Sequence, residues 1–150
     1  MKRSKRLKPV VQVEKHRERD AAQQLGRHQS QLSEMQARLD ELVNYRADYQ
    51  QRYSQFLSQG TGSAAIQEYR SFLKKLDQAI AHQQQLINGG QKNVAHSRNN
   101  WLQKRTRLKA IGSLVDKLQV DEQQQEVKRE QQDNDERALF ARRLNHLKCF

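Results

Sequence analysis

The chain is poor in the residues that usually punctuate or staple a fold. Its 150 residues hold one cysteine, one proline, one tryptophan and six glycines. The lone cysteine, Cys149, excludes a disulfide framework and points to a reducing compartment. The lone proline, Pro9, stands near the start, so nothing after it forbids a long helix. Hydrophobic residues make up 35% and mean hydropathy is -1.11, too little apolar material for a thick core. No segment approaches the ~20 apolar residues that span a bilayer. Met1 to Lys8 is basic, but no apolar run comes after it, so no signal peptide is expected.

Catalytic chemistry is missing too. No phosphate loop of the G-x4-G-K-[S/T] kind occurs. Gly89-Gly90 lies inside a regular repeat with Gln91-Lys92 behind it, where close helix approach or a bend is the simpler role. The histidines His16, His28, His82, His96 and His146 do not pair at i+3 or i+4, so no metal ligand set forms. His28 falls on an otherwise apolar stripe, as a polar seam residue or a pH reporter. No cofactor is expected, and a two-helix rod has no concavity for an active site. The reading is a protein without enzymatic activity.

What is present is a seven-residue repeat. From Ile66 to Leu118 the a positions are Ile66, Leu73, Ile80, Ile87, Val94, Trp101, Leu108 and Val115, all apolar. The d positions are Tyr69, Leu76, Gln83, Gly90, Ser97, Lys104, Ile111 and Leu118, making 12 of 16 apolar. A second series has a at Val11, Glu18, Leu25, Leu32, Leu39, Arg46 and Tyr53. Its d positions are Leu7, Glu14, Ala21, His28, Met35, Leu42, Tyr49 and Phe56, with 11 of 15 apolar in all. Repeats held this long mark coiled-coil strands, and each stripe needs the other to shield it from water.

Between them, Ser58-Gln-Gly-Thr-Gly-Ser63 is the one convincing break, with Ser63 able to cap the second helix. A short loop between long helices gives an antiparallel hairpin. The expected fold is therefore all-α. It is one elongated coiled-coil domain with a helix over about 9–57, a turn over 58–63 and a helix over about 64–145, and helix exceeds about 80%. The residues before Pro9 form a frayed arm, with Pro9 in the first helical turn.

Pairing about the loop joins residues whose numbers sum to about 121. Trp101 then meets Ala21, Ser97 falls near Leu25, Gly90 near Leu32 and Gln83 near Leu39, large against small. Lys104 lands near Glu18 and Arg107 near Glu14, so seam charges find opposite signs. Leu118 would pair with residue 3, where the first strand has run out. Asp121 to Arg137 is almost wholly Gln and charge, and reads as a solvated helical extension. Leu139, Phe140, Leu144, Leu147 and Phe150 then form a small apolar group, either a frayed tail with weak self-contact or an anchor for a partner.

Net charge is +11, which favours acidic partners. Residues 64–118 hold ten basic and three acidic side chains, while 119–150 hold six and seven. Lys15, Arg17, Arg19, Arg98, Lys104, Arg105, Arg107 and Lys109 gather away from the loop. At ~1.5 Å per residue, ~50 paired residues give a spindle ~75 Å long, a shape suited to entering an acidic ring. Phe72 has no slot in the seam. With Leu76 and Ala79 it makes a flanking stripe, either folded over the seam edge or free as a docking point.

The order of these features resembles the FliJ family of flagellar export proteins over nearly the whole chain. The carrying residues are the basic start from Lys2 to Pro9, the row Tyr45, Tyr49, Tyr53, the Gly-Thr-Gly turn, and the run from Tyr69 through Phe72, Leu73, Leu76 and Asp77 to Ile80. Trp101 with its basic sequel and a charged C-terminal helix complete the pattern. The resemblance implies a bacterial flagellum biogenesis and protein export component of the type III apparatus, akin to the central stalk of rotary ATPases. It implies binding to the hexameric export ATPase with promotion of its assembly and activity, contact with the export gate protein FlhA, and recycling of export chaperones. It implies a cytoplasmic protein peripheral to the inner membrane at the flagellar base, needed for motility. The family's gate contact, a Phe, Leu, Ala, His stripe, corresponds to Phe72, Leu76 and Ala79, with Gln83 in the fourth place and His82 beside it. The competing readings are a generic coiled-coil tether, the analogous rod of a virulence secretion system, and a basic nucleic-acid-binding coiled coil. The last lacks aromatics interleaved with its basic clusters.

Overall fold

A computed structural model describes residues 2–60 and 62–149. Among them there are two α-helices and no strand: α1 (Arg3–Ser58, 56 residues) and α2 (Ser63–Lys148, 86 residues). They form an all-α helical hairpin, as a chain rich in strong helix formers, with its one proline near the start of α1, favours. Thr61 in the turn and Phe150 of the terminal apolar group lie outside the described residues.

The helix limits correct the expected ones at both ends. α1 begins at Arg3, six residues before Pro9, so Pro9 sits inside the helix rather than in its first turn. The arm before it is helical, not frayed, and α2 runs to Lys148 rather than about residue 145. At the turn, Gly60 has φ 72°, the left-handed conformation that closes a helix and suits glycine. The Gly62 carbonyl accepts the first bond of α2 from the Ile66 amide. That makes Gly62 the capping residue and puts Ser63 one place inside the helix.

The contacts fall into two units. One joins the residues up to Glu18 with those from Lys104 onward; the other is Arg19 to Gln103. In the second unit the pairing is antiparallel. Met35 meets Gln83, Arg46 meets Asp77, and Tyr49 meets Tyr69 and Phe72. Every position of both expected heptad series is shielded, wholly or in part, while the residues between them are mostly exposed. The core is thin: among the described residues, Ala21, Leu76 and Ile87 are the apolar side chains buried below a tenth. Gly90 is buried, and a Cβ there would lie 3.1 Å from Met35 Sδ and 3.3 Å from a Leu32 methyl. Of the alternatives for the glycine pair, close approach is what Gly90 provides; a Cβ on Gly89 would meet nothing within 4 Å.

Candidate functional site

In the first unit, the heptad series continue one step further than their apolar residues show. Ser4 is the next a position of α1, and Glu122 the next of α2. The Ser4 amide donates to Glu122 Oε1 at 3.1 Å and its hydroxyl to Oε2 at 2.7 Å. A carboxylate from the far part of the chain thus caps α1. These bonds hold the Glu122 carboxyl below its ordinary value of 4.5, the Ser4 hydroxyl contributing most. Lys2 Nζ stands 3.5 Å from Glu126 one turn on. Together these contacts explain why the residues before Pro9 are helical. An open polar groove beside them is lined by Lys2, Lys5 and Lys8 with Glu122 and Glu126.

Further along the same seam lies a buried charge. Glu14 is 2% exposed, and its Oε1 accepts from Arg17 at 3.1 Å along the helix. Arg107 Nε lies 3.2 Å from the same oxygen, across the seam. The expected pairing of Glu14 with Arg107 is present, and the carboxylate is more deeply enclosed than a surface ion pair. Of the basic residues expected to face a partner, Arg17 and Arg107 are therefore turned partly to Glu14. Lys15, Arg105 and Lys109 are exposed in this unit, and Lys104 is partly buried. Arg19 and Arg98 belong to the second unit and are exposed there.

The second unit carries an aromatic ladder near the turn. Phe56 and Tyr53 lie 4.8 and 5.9 Å from Tyr69, Tyr49 lies 4.8 Å from Tyr69 and 4.4 Å from Phe72, and Tyr45 meets Phe72 edge-on at 6.0 Å. Burial among these rings raises the Tyr49 pKa above its usual 10.0, with Tyr69 and Tyr45 adding to it. Arg70 donates to the Tyr53 hydroxyl at 3.1 Å. Arg46, a cation at an a position, is satisfied by Asp77, whose carboxylate raises its pKa.

Phe72, Leu76, Ala79 and Gln83, the residues expected to meet an export gate, all lie in this unit. Leu76 is 7% exposed and Gln83 9%, both facing into the seam. Gln83 donates its side-chain amide to the Met35 carbonyl at 2.9 Å. Phe72 and Ala79 are partly exposed. Phe72 lies over the seam edge against Tyr45 and Tyr49, and Tyr45 itself is 52% exposed. The sequence reading missed Tyr45 as a neighbour of Phe72. The signal available was its place on the matching flank of the α1 repeat.

The tail of α2 is exposed from Gln123 through Cys149. Leu139, Phe140, Leu144 and Leu147 are 43–70% exposed. Among the described residues, no helix is long and apolar enough to cross a membrane and no group of acidic, His or Cys side chains could hold a metal ion.

Comparison with known proteins gives consistent relatives. The family model described as flagellar FliJ protein matches residues 3–146. The flagellar FliJ protein of Escherichia coli strain K12 is 28% identical over 98 residues, which cover 65% of this chain and 67% of that one. A solved structure described as a YscO homologue from Chlamydia trachomatis superposes with a TM-score of 0.60, covering 95% of this chain and 96% of that one. At 18% identity the likeness to it is one of fold.

Proposed function

The chain belongs to the flagellar FliJ protein family, and from that premise we propose that it is a non-catalytic, stalk-like component of the flagellar export apparatus. It binds the hexameric export ATPase and favours the assembled ring. The observation that carries this reading is the pairing of the family match with a slim two-helix seam whose Lys15, Arg105 and Lys109 remain exposed. A ligand that binds only the assembled ring stabilises it by mass action, so more hexamer and faster turnover come from one interaction. The same chain contacts the export gate protein FlhA through the surface around Phe72 and Ala79, and engages export chaperones. Its place is the cytoplasmic side of the inner membrane at the flagellar base.

The test is direct. Purified protein is added to the export ATPase, and hexamer fraction and ATP turnover are measured together. Both should rise; no change in either overturns the reading. A second reading, the corresponding rod of a virulence secretion system, is favoured by the fold likeness to the YscO homologue. Deletion that abolishes motility while secretion of virulence proteins continues decides for the flagellar role.

A further inference from the structure

A two-stranded coiled coil needs apolar residues only at a and d, and its flanking e and g positions are normally charged. The second unit departs from that on one edge. The g row of α2 reads Ala65, Phe72, Ala79, Leu86, apolar at four successive turns of the repeat. Its e row over the same stretch reads Arg70, Asp77, Gln84, Gln91. Three apolar positions in seven is the pattern of a helix that packs against two neighbours rather than one. α1 supplies only the first neighbour. Leu86 stays 42% exposed and Tyr45, on the g row of α1, 52% exposed. The Tyr45–Phe72 contact at 6.0 Å confirms that the two g rows share this edge.

We infer that the groove along this edge takes a third strand: one amphipathic helix of a partner protein, basic along one border. The apolar stripe of that helix covers Phe72, Ala79 and Leu86. Its charge is set by the α1 flank of the groove, where Glu34, Glu41 and Asp48 recur every seven residues, all exposed. Arg38 stands 3.7 Å from Glu41, but both side chains are largely in water, so the pair yields readily to an incoming cation. A helix with Lys or Arg at seven-residue spacing matches that row. The inference deepens the gate-contact reading and rests on it for the partner's identity alone. It moves the contact from the seam residues Leu76 and Gln83, which the hairpin already buries, to the g row beside them.

The probe is a synthetic three-heptad peptide with Leu at a and d and Lys along one border, labelled and used below its own self-association concentration. Its binding to the full chain is monitored by fluorescence anisotropy. A second peptide carries Glu in place of the border Lys. The Lys peptide should bind, and the Glu peptide should bind at least about tenfold more weakly. L86D should weaken binding of the Lys peptide by about tenfold or more, since an exposed Leu is what the peptide buries. Glu41→Lys should weaken it several-fold, and Gln84→Asp, on the e row, should leave it unchanged. Circular dichroism of each variant checks that the helices persist. No binding of the Lys peptide, equal binding of both peptides, or equal loss with Gln84→Asp overturns the inference. So does a shift of the free protein to dimer that L86D abolishes, because a second copy then fills the groove. Peptide binding with no binding of purified export gate cytoplasmic domain keeps the third strand and rejects the gate as its source.

Discussion

Arg107 Nε stands 3.2 Å from Glu14 Oε1, and that carboxylate is 2% exposed. A buried carboxylate with an exposed cation as its cross-seam partner is an asymmetric arrangement. Removing the cation leaves a charge enclosed; replacing the carboxylate leaves only cations that water can solvate. Arg107→Ala should therefore destabilise the hairpin by about 1–2 kcal/mol, less than a fully buried pair because the guanidinium is largely in solvent. Glu14→Leu, apolar at a d position, should be neutral or stabilise by up to about 2 kcal/mol. Thermal unfolding of the two variants distinguishes them; equal losses would contradict the asymmetry.

The Ser4–Glu122 contact gives a pH dependence. The Glu122 carboxyl is depressed in the folded chain, mainly by the Ser4 hydroxyl and amide. Its contribution is therefore present above the ordinary value of 4.5 and lost as pH falls through the lower folded value. Hydrogen exchange at the Ser4 amide should accelerate as pH falls below the ordinary carboxyl value of 4.5 and through the lower folded value. Glu122→Ala, which removes the acceptor, should make that exchange faster and nearly pH-independent in structural terms, once the intrinsic rate is divided out.

The two adjacent glycines should respond differently to the same substitution. Gly89→Ala adds a methyl into open space and removes a flexible helix residue, a gain of about 0.5–1 kcal/mol. At Gly90 the same methyl meets Met35 and Leu32 of α1. Gly90→Ala should be less stable than Gly89→Ala by about 1–2 kcal/mol. Denaturant midpoints at constant m-value measure the difference.

Binding to the export ATPase should depend on salt. Reversing Lys15 and Lys109, both exposed and in the first unit, should weaken binding by about tenfold at physiological ionic strength. The same reversal should flatten the salt dependence while leaving the unfolding temperature unchanged. An unaltered affinity would move the ring contact elsewhere.

The exposed tail should be silent in stability. Phe140→Ser with Leu147→Ser removes apolar side chains that are 65% and 70% exposed. Stability should stay within about 0.5 kcal/mol. A larger loss would reveal self-association through this stripe, which the concentration dependence of unfolding would show.

Much of this arrangement was legible in the sequence because a seven-residue repeat states, residue by residue, which side is covered. Every a and d position from Leu7 to Phe56 and from Ile66 to Leu118 is shielded, including His28, Gln83 and Lys104. The paired numbers anticipated Glu14 with Arg107 and Gly90 with Leu32. The hairpin's start was not legible, because Ser4 and Glu122 continue the repeat with polar groups that hydropathy passes over. Pro9 was also misleading, since the first turns of α1 before it are held from α2 by Glu122 on Ser4 and Glu126 beside Lys2. The role of Tyr45 was hidden for another reason. A residue flanking the seam acquires its neighbour from the other strand, and periodicity along one strand does not name it.

Glu122 caps a helix whose first turn left the ribosome long before it. Until that carboxylate emerges, on the order of ten seconds of synthesis at usual elongation rates, the opening amides of α1 lack it. The hairpin can zip from its turn outward during that time, but its last closure waits for nearly all of the polypeptide. Translation thus orders assembly from the bend toward the termini, and a message truncated before codon 122 yields a chain whose start stays loose.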